Sequence, residues 1–283
     1  MTSLAHLPPL RDVIARFDLG ARKALGQHFL LDLNLTARVA AAAGDLAGVT
    51  VIEVGPGPGG LTRALVESDA KAVVAVERDS RFVAALADVV EAAAGRLTIV
   101  EGDALEVDMT AIAPAPRAIV ANLPYNVGTP MLVGWLRQIQ EFRSLTLMFQ
   151  KEVVDRIVAR PRTKDYGRLA VMSQWLADAR LVFDIPPQAF SPPPKVMSAV
   201  VHITPRALPA DAPSFKDMER VVAAAFNQRR KMLRAGLKGL VAQPEPLLEA
   251  AGILPTSRAE EVDVAGFVRL THAWRAHQDS RRD

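Results

Sequence analysis

The chain of 283 residues is 50% hydrophobic and 23% charged and holds no cysteine, which excludes a disulfide scaffold, thiolate metal sites and wholesale disorder. Only five histidines remain for metal chemistry, and no metal is expected. The net charge of +3 is unevenly placed: residues 206–283 hold thirteen Lys/Arg against ten Asp/Glu, the rest is balanced, and a pI near 9.4 points to a polyanionic partner.

The N-terminus, "MTSLAHLPPLRDVIARFDLG", lacks the apolar core of a signal peptide and the acid-poor character of a transit peptide. Residues 1–20 are read as an N-terminal extension. No apolar run reaches the ~18 residues of a membrane span, so a cytoplasmic protein with no membrane partner is expected. Strand-like runs follow at Val49–Val54, Ala72–Glu77, Leu97–Val100, Ala118–Asn122 and Leu145–Gln150, then at Arg180–Ile185 and Ser198–Thr204. Alanine-rich helical stretches, such as Leu61–Glu67 and Ser80–Ala94, lie between the early ones. Continuous apolar runs mark strands buried on both faces of a parallel sheet, and their alternation with helices indicates a doubly wound α/β domain. The last two strands are joined by "PPQAFSPPPK", too short for a helical crossover, so they are expected to run antiparallel. Beyond a proline-rich break at Thr204–Pro213, Met218, Val221, Val222, Ala225 and Phe226 recur at helical spacing. The expected division is an α/β domain at 21–205 and a small all-α domain at 206–283.

"EVGPGPGGLT" (Glu53–Thr62) follows the first strand and opens a helix, and Gly55, Gly57 and Gly60 satisfy G-x-G-x-x-G. Such a loop brings backbone close to a ligand, and Glu77 at the end of the second strand stands where an acid can hold ribose hydroxyls. Taken alone, the loop also fits a nicotinamide dinucleotide or a ligand-free turn. Three features favour S-adenosylmethionine. Glu53 is an awkward neighbour for a pyrophosphate but suits the positively charged amino-acid end of a sulfonium cofactor. Asp103, after the third strand, can accept from an adenine amino group, although helix capping explains it as well. The fourth strand ends in Asn122-Leu123-Pro124-Tyr125, and strand ends of such a sheet converge on one crevice.

That last motif has its own chemistry. An exocyclic amine on adenine is a poor nucleophile because its lone pair is delocalised into the ring. The Asn122 amide oxygen and a neighbouring backbone carbonyl, that of Leu123, can accept its two N–H groups and aim the lone pair outward. Tyr125 offers a face for the base to stack on, and Pro124 stiffens the corner.

"NLPY" is the motif of adenine-N6 methyltransferases, and the chain resembles the KsgA/RsmA family of ribosomal RNA adenine dimethyltransferases from Arg22 to about Trp274. The resemblance rests on "LGQHFL" (Leu25–Leu30), "EVGPGPGGLT", "AVERD" (Ala75–Asp79), "NLPYNVGTP" (Asn122–Pro130), "QKEVVDRIVARPRTKDYGRLAV" (Gln150–Val171), "AFSPPPKV" (Ala189–Val196), "FNQRRKMLR" (Phe226–Arg234) and "RAEEVDV" (Arg258–Val264). It implies a Rossmann-like, seven-stranded S-adenosylmethionine-dependent methyltransferase domain with a helical RNA-binding domain. It further implies dimethylation of N6 on two adjacent adenosines near the 3′ end of 16S rRNA in a pre-30S particle, by a monomer with no DNA substrate. Gln27, His28 and Leu30 would close over the cofactor. Gly55 and Gly57 would line its amino-acid part, Glu77 its ribose and Asp103 its adenine. Asn122 would touch both cofactor and base, and Phe190 would face Tyr125 as a second aromatic wall. The chain departs from the family pattern at His28, where asparagine is frequent, at Gly128, where serine is frequent, and at Met197, where aspartate is frequent.

In the tail, Arg230, Arg234 and Lys238 stand four residues apart, flanked by Arg229 and Lys231, and no acid occurs from Phe226 to Gln243. A helical stripe of phosphate contacts is expected there. Two alternatives remain open: a large-subunit rRNA adenine-N6 methyltransferase of the macrolide-resistance type, and an assembly factor acting mainly by binding.

Overall fold

The computed structural model describes residues 4–20, 27–229 and 231–280. Its strands are β1 (Phe29–Leu30), β2 (Thr50–Val54), β3 (Ala72–Glu77), β4 (Leu97–Glu101), β5 (Arg117–Asn122), β6 (Ser144–Gln150), β7 (Ala177–Ile185), β8 (Phe190–Ser191) and β9 (Ser198–Pro205). The seven runs expected from the sequence form one seven-stranded sheet in the order β4-β3-β2-β5-β6-β9-β7. Strands β4 to β6 pair in parallel, with Glu53 opposite Ala75 on one side and Val120 on the other. The antiparallel step lies between β6 and β9, and β7 is the outer neighbour of β9. All five residues of β2 are buried, as central strands covered on both faces require. The order reverses at β2: the chain leaves it for β3 on one side and later returns to β5 on the other. Loops from the two carboxyl ends therefore diverge and open a crevice.

The chain divides into two compact units, Met1–Val154 with Arg180–Pro205, and Asp155–Ala179 with Arg206–Asp283. A single boundary near Arg206 is thus not how the contacts fall, because the excursion Asp155–Ala179 packs with the C-terminal helices. Tyr166, fully buried, donates its hydroxyl to the Val262 carbonyl at 2.9 Å and stands edge-on to Phe226. Trp175 lies against Phe215, and the Arg206 amide donates to the Leu176 carbonyl.

Residues 4–20, read from sequence as an extension, contribute to the core of the first unit. The helix Leu10–Arg16 buries Leu10 and Val13, and Leu19 joins Phe29 and Phe82 in a small apolar cluster. The Leu4 amide donates to Glu67 Oε1 at 2.9 Å. Among the described residues, no helix is long and apolar enough to cross a membrane.

The glycine loop is constrained in two different ways. Gly57 has φ of 54°, in the left-handed region that favours glycine. Gly60, the first residue of the helix Gly60–Glu67, is constrained by space: a Cβ there would stand 2.8 Å from the Leu30 carbonyl oxygen and 3.1 Å from Leu10. Gly60→Ala should therefore push β1 off the helix start and cost about 1–3 kcal/mol of stability. Urea denaturation checks this, and an unchanged midpoint would show that β1 yields freely.

Candidate functional site

A cavity of ≈ 570 Å³ opens where the strand order reverses. It gathers Gln27, His28 and Leu30, the glycine loop with Gly55 and Gly57, then Glu77, Asp103 and Asn122 to Tyr125. Every expected cofactor residue lies there, as do Asn122, Leu123 and Tyr125. Phe190 does not line the cavity; it is 4% exposed, on β8, opposite Leu30 in the short β1–β8 ribbon.

The floor is acidic, and its deepest group is shut off from solvent. Glu53 is 1% exposed and its Oε2 has no hydrogen-bond partner. Burial pushes its carboxyl up to about 8, the Glu77 charge adds to the rise, and the Thr62 hydroxyl opposes it as a nearby dipole. That hydroxyl also completes no hydrogen bond. Glu77 turns back over the strand end: Oε1 accepts from the amides of Arg78 (2.8 Å) and Asp79 (2.9 Å), and Oε2 from Gly57 (3.4 Å). Burial raises its carboxyl even so, and those amides hold the rise in check. Asp103 is the contrasting case. Its Oδ1 accepts from the Leu105 amide at 3.0 Å and its Oδ2 pairs with Arg78 at 3.0 Å, so its carboxyl is lowered, mainly by the Leu105 amide. The helix capping weighed for it is not what it does: Asp103 caps a turn, the next helix being capped by Asp108, and two lone pairs remain for a ligand.

At the end of β5, Asn122 Nδ2 donates to the His28 carbonyl at 3.3 Å. This assigns the two ends of the amide, because a carbonyl can only accept. Oδ1 is left without a hydrogen bond among the described residues, and so is the adjacent Leu123 carbonyl. The Tyr125 hydroxyl shares a 2.6 Å hydrogen bond with Ser198 Oγ on β9, which pins the ring by its edge. The His28 ring lies against Tyr125, with centroids 5.3 Å apart and planes at 33°. It meets Phe190 edge-on at 6.4 Å. Ser198 carries no signal in the sequence; it comes from a strand 73 residues away. Arg78, which holds Asp103, was equally unmarked.

The basic residues of the tail belong to the second unit. The expected continuous helix does not form: the helix Phe215–Asn227 stops at Gln228, whose φ of −123° and ψ of 60° are non-helical. Met232 then bridges to Arg258, and the Leu233 amide donates to Ser257, before a new short helix, Leu233–Gly236. Lys231, Arg234 and Lys238 are exposed. Arg229 is committed internally, to Glu260 at 3.0 Å and to the carbonyls of Thr163 and Lys164. Arg230 lies outside the described residues.

The family model described as ribosomal RNA adenine dimethylase matches residues 19–274. The ribosomal RNA small subunit methyltransferase A of Jannaschia sp. is 59% identical over 277 residues, covering 95% of this chain and 94% of the relative. That of Rhodospirillum rubrum is 57% identical over 267 residues, covering 94% and 92%. Among solved structures, the 23S rRNA methyltransferase ErmE is similar with a TM-score of 0.67 at 28% identity, covering 87% of this chain and 99% of that one. A dimethyladenosine transferase from Plasmodium falciparum shares the fold, with a TM-score of 0.71 at 24% identity over 86% of this chain and 96% of that one.

The buried carboxyl makes stability depend on pH. The folded chain holds the Glu53 proton up to about 8, whereas unfolding returns the group to its ordinary value of 4.5. Between these values the unfolded chain binds fewer protons, so Glu53 destabilises the fold increasingly as pH rises through that window. Glu53→Gln should flatten the curve, gaining on the order of a few kcal/mol at pH 8 relative to pH 4.5. Denaturation at both pH values tests this, and parallel losses in parent and variant would contradict it.

Proposed function

Since the chain belongs to the ribosomal RNA adenine dimethylase family, we propose that it transfers methyl groups from S-adenosylmethionine to N6 of two adjacent adenosines near the 3′ end of 16S rRNA. Its substrate would be a pre-30S particle in the cytoplasm, engaged by a monomer that does not act on DNA. The observation that carries the chemistry is the free Asn122 Oδ1 beside the free Leu123 carbonyl, on a corner held by the Asn122–His28 hydrogen bond.

The residues of the cavity fit the cofactor. A buried, unpartnered carboxyl held in its protonated form would be returned to its charged form, and satisfied, by a cation beside it. When bound, S-adenosylmethionine supplies an electrophilic methyl on a sulfonium. Glu53 and the Gly55–Gly57 backbone would hold the amino-acid end, Glu77 the ribose and Asp103 the adenine, with Gln27, His28 and Leu30 alongside. Asn122 Oδ1 and the Leu123 carbonyl would accept the two N6 hydrogens, favour a pyramidal nitrogen and direct its lone pair. Positioning and electrostatics of this kind replace a strong base, since the methylated nitrogen is acidic enough to lose its proton afterwards. Tyr125 and Phe190 would sandwich a base that is unpaired or drawn out of its helix.

The 206–283 domain is assigned the RNA backbone, through Lys231, Arg234 and Lys238, with Arg230 a further candidate by sequence. Arg229 fits a structural role better, given its contacts with Glu260 and the Thr163–Lys164 backbone. The small-subunit relatives share far more sequence with this chain than the large-subunit enzyme does, which favours the small-subunit substrate. A role in assembly through binding is compatible with the chemistry and needs no separate site.

Asn122→Ala should leave cofactor affinity largely intact and cut turnover at least about a hundredfold, the scale of one lost transition-state hydrogen bond. Mass spectrometry of rRNA fragments with labelled cofactor measures it; near-parental turnover would remove Asn122 from this role. Lys238→Gln should weaken particle binding and reduce the slope of log affinity against log salt by about one. An unchanged slope would take Lys238 off the RNA.

A further inference from the structure

Within the proposed base site, the space that an adenine must enter is already filled by the chain itself. The His28 ring touches both aromatic residues assigned to the base, at 5.3 Å from Tyr125 and 6.4 Å from Phe190. Phe190 is 4% exposed, packed in the apolar core of the first unit with the His28 ring against its edge. The same residue offers its carbonyl to Asn122 Nδ2, so it meets all three side chains given to the target nucleoside. Its position is held rather than incidental: Nδ1–H donates to the Pro192 carbonyl at 2.8 Å, which sets the tautomer and the ring plane. Beyond it the backbone is anchored, with Phe29 edge-on to Phe82 at 5.6 Å and paired opposite Ser191. Rotation of one side chain, with loss of one hydrogen bond and two ring contacts, would clear the slot while β1 stays in place.

We propose that the His28 imidazole is a placeholder for the target base, tilted against Tyr125 and edge-on to Phe190 in the free protein and displaced when an adenine enters. This rests on the assignment of Tyr125 and Phe190 to the base. A planar aromatic ring with a nitrogen in the slot keeps the two walls apart and dry without a covalent or conformational lock. Any adenine that lacks the additional contacts of the correct RNA must compete with it. His28 is thus a positioning and selectivity residue, and asparagine at this place would leave the slot open.

The test measures adenosine binding to the full chain, with S-adenosylhomocysteine saturating the cofactor site, in the parent, His28→Ala, His28→Asn and Tyr125→Ala. Removing the placeholder should tighten adenosine binding at least about tenfold, the scale of one hydrogen bond and two ring contacts, in both His28 variants. Tyr125→Ala should weaken it. Adenosine binding that is unchanged or weaker in His28→Ala and His28→Asn, with Tyr125→Ala still damaging, overturns the placeholder and leaves the base site standing. Indifference to Tyr125→Ala removes the base site itself and the placeholder with it. In the parent, the His28 Cε1–H NMR resonance reports the Tyr125 ring current. It should move toward its free-imidazole position as adenosine is added; a fixed resonance at saturation also overturns the proposal.

Discussion

The reversal of strand order at β2 is the constraint on which the site depends. The chain runs outward from β2 to β3 and β4, then returns to β5 on the opposite flank, so the loops after β2 and β5 cannot cover the same edge of the sheet. The gap between them becomes a crevice floored by the ends of four strands. Glu53, Glu77, Asp103 and Asn122 are scattered over seventy residues of sequence, and register alone carries them to one cavity.

Inside that crevice burial decides the chemistry. Three carboxylates share the floor, yet their environments differ: Glu53 has lost water and gained no partner, Glu77 has lost water and gained backbone amides, and Asp103 has kept water and gained an arginine. Desolvation raises the first two, hydrogen bonding lowers the third, and a cation over Glu53 would bring back the charge that burial suppresses. The same cavity carried by a strand ending in a neutral residue would have lost this response. The cost is a fold that loses stability as pH rises toward 8 unless something positive meets the Glu53 carboxyl.

The aromatic corner is assembled differently, from side chains that no strand order brings together. Tyr125 follows β5, Ser198 opens β9, Phe190 sits on β8 and His28 precedes β1. What unites them is the two-residue ribbon β1–β8, which lays the N-terminal segment across the mouth of the crevice and brings the His28 carbonyl to Asn122. A short ribbon suffices because Phe29 and Leu30 are each buried in an apolar cluster of the first unit.

By itself the sequence determined the seven strands, their parallel core, the glycine loop, the acids that line the cavity and the Asn122–Tyr125 corner. Continuous apolar runs and glycine spacing are local properties, and a motif of four residues travels as a unit. Only the tertiary structure decided three other matters. It grouped Asp155–Ala179 with the C-terminal helices, because the partner of the Tyr166 hydroxyl lies 96 residues away. It ended the helix at Asn227, ahead of the basic run, and tied Arg229 to Glu260, where helical spacing alone had set Arg230, Arg234 and Lys238 in one stripe with Arg229 and Lys231 beside it. It also turned His28 onto Tyr125 and Phe190, since the direction of a ring on an irregular segment depends on which distant carbonyl accepts its N–H, and here that carbonyl belongs to Pro192. Periodicity encodes which residues are buried; it does not encode which buried or half-buried polar groups find one another.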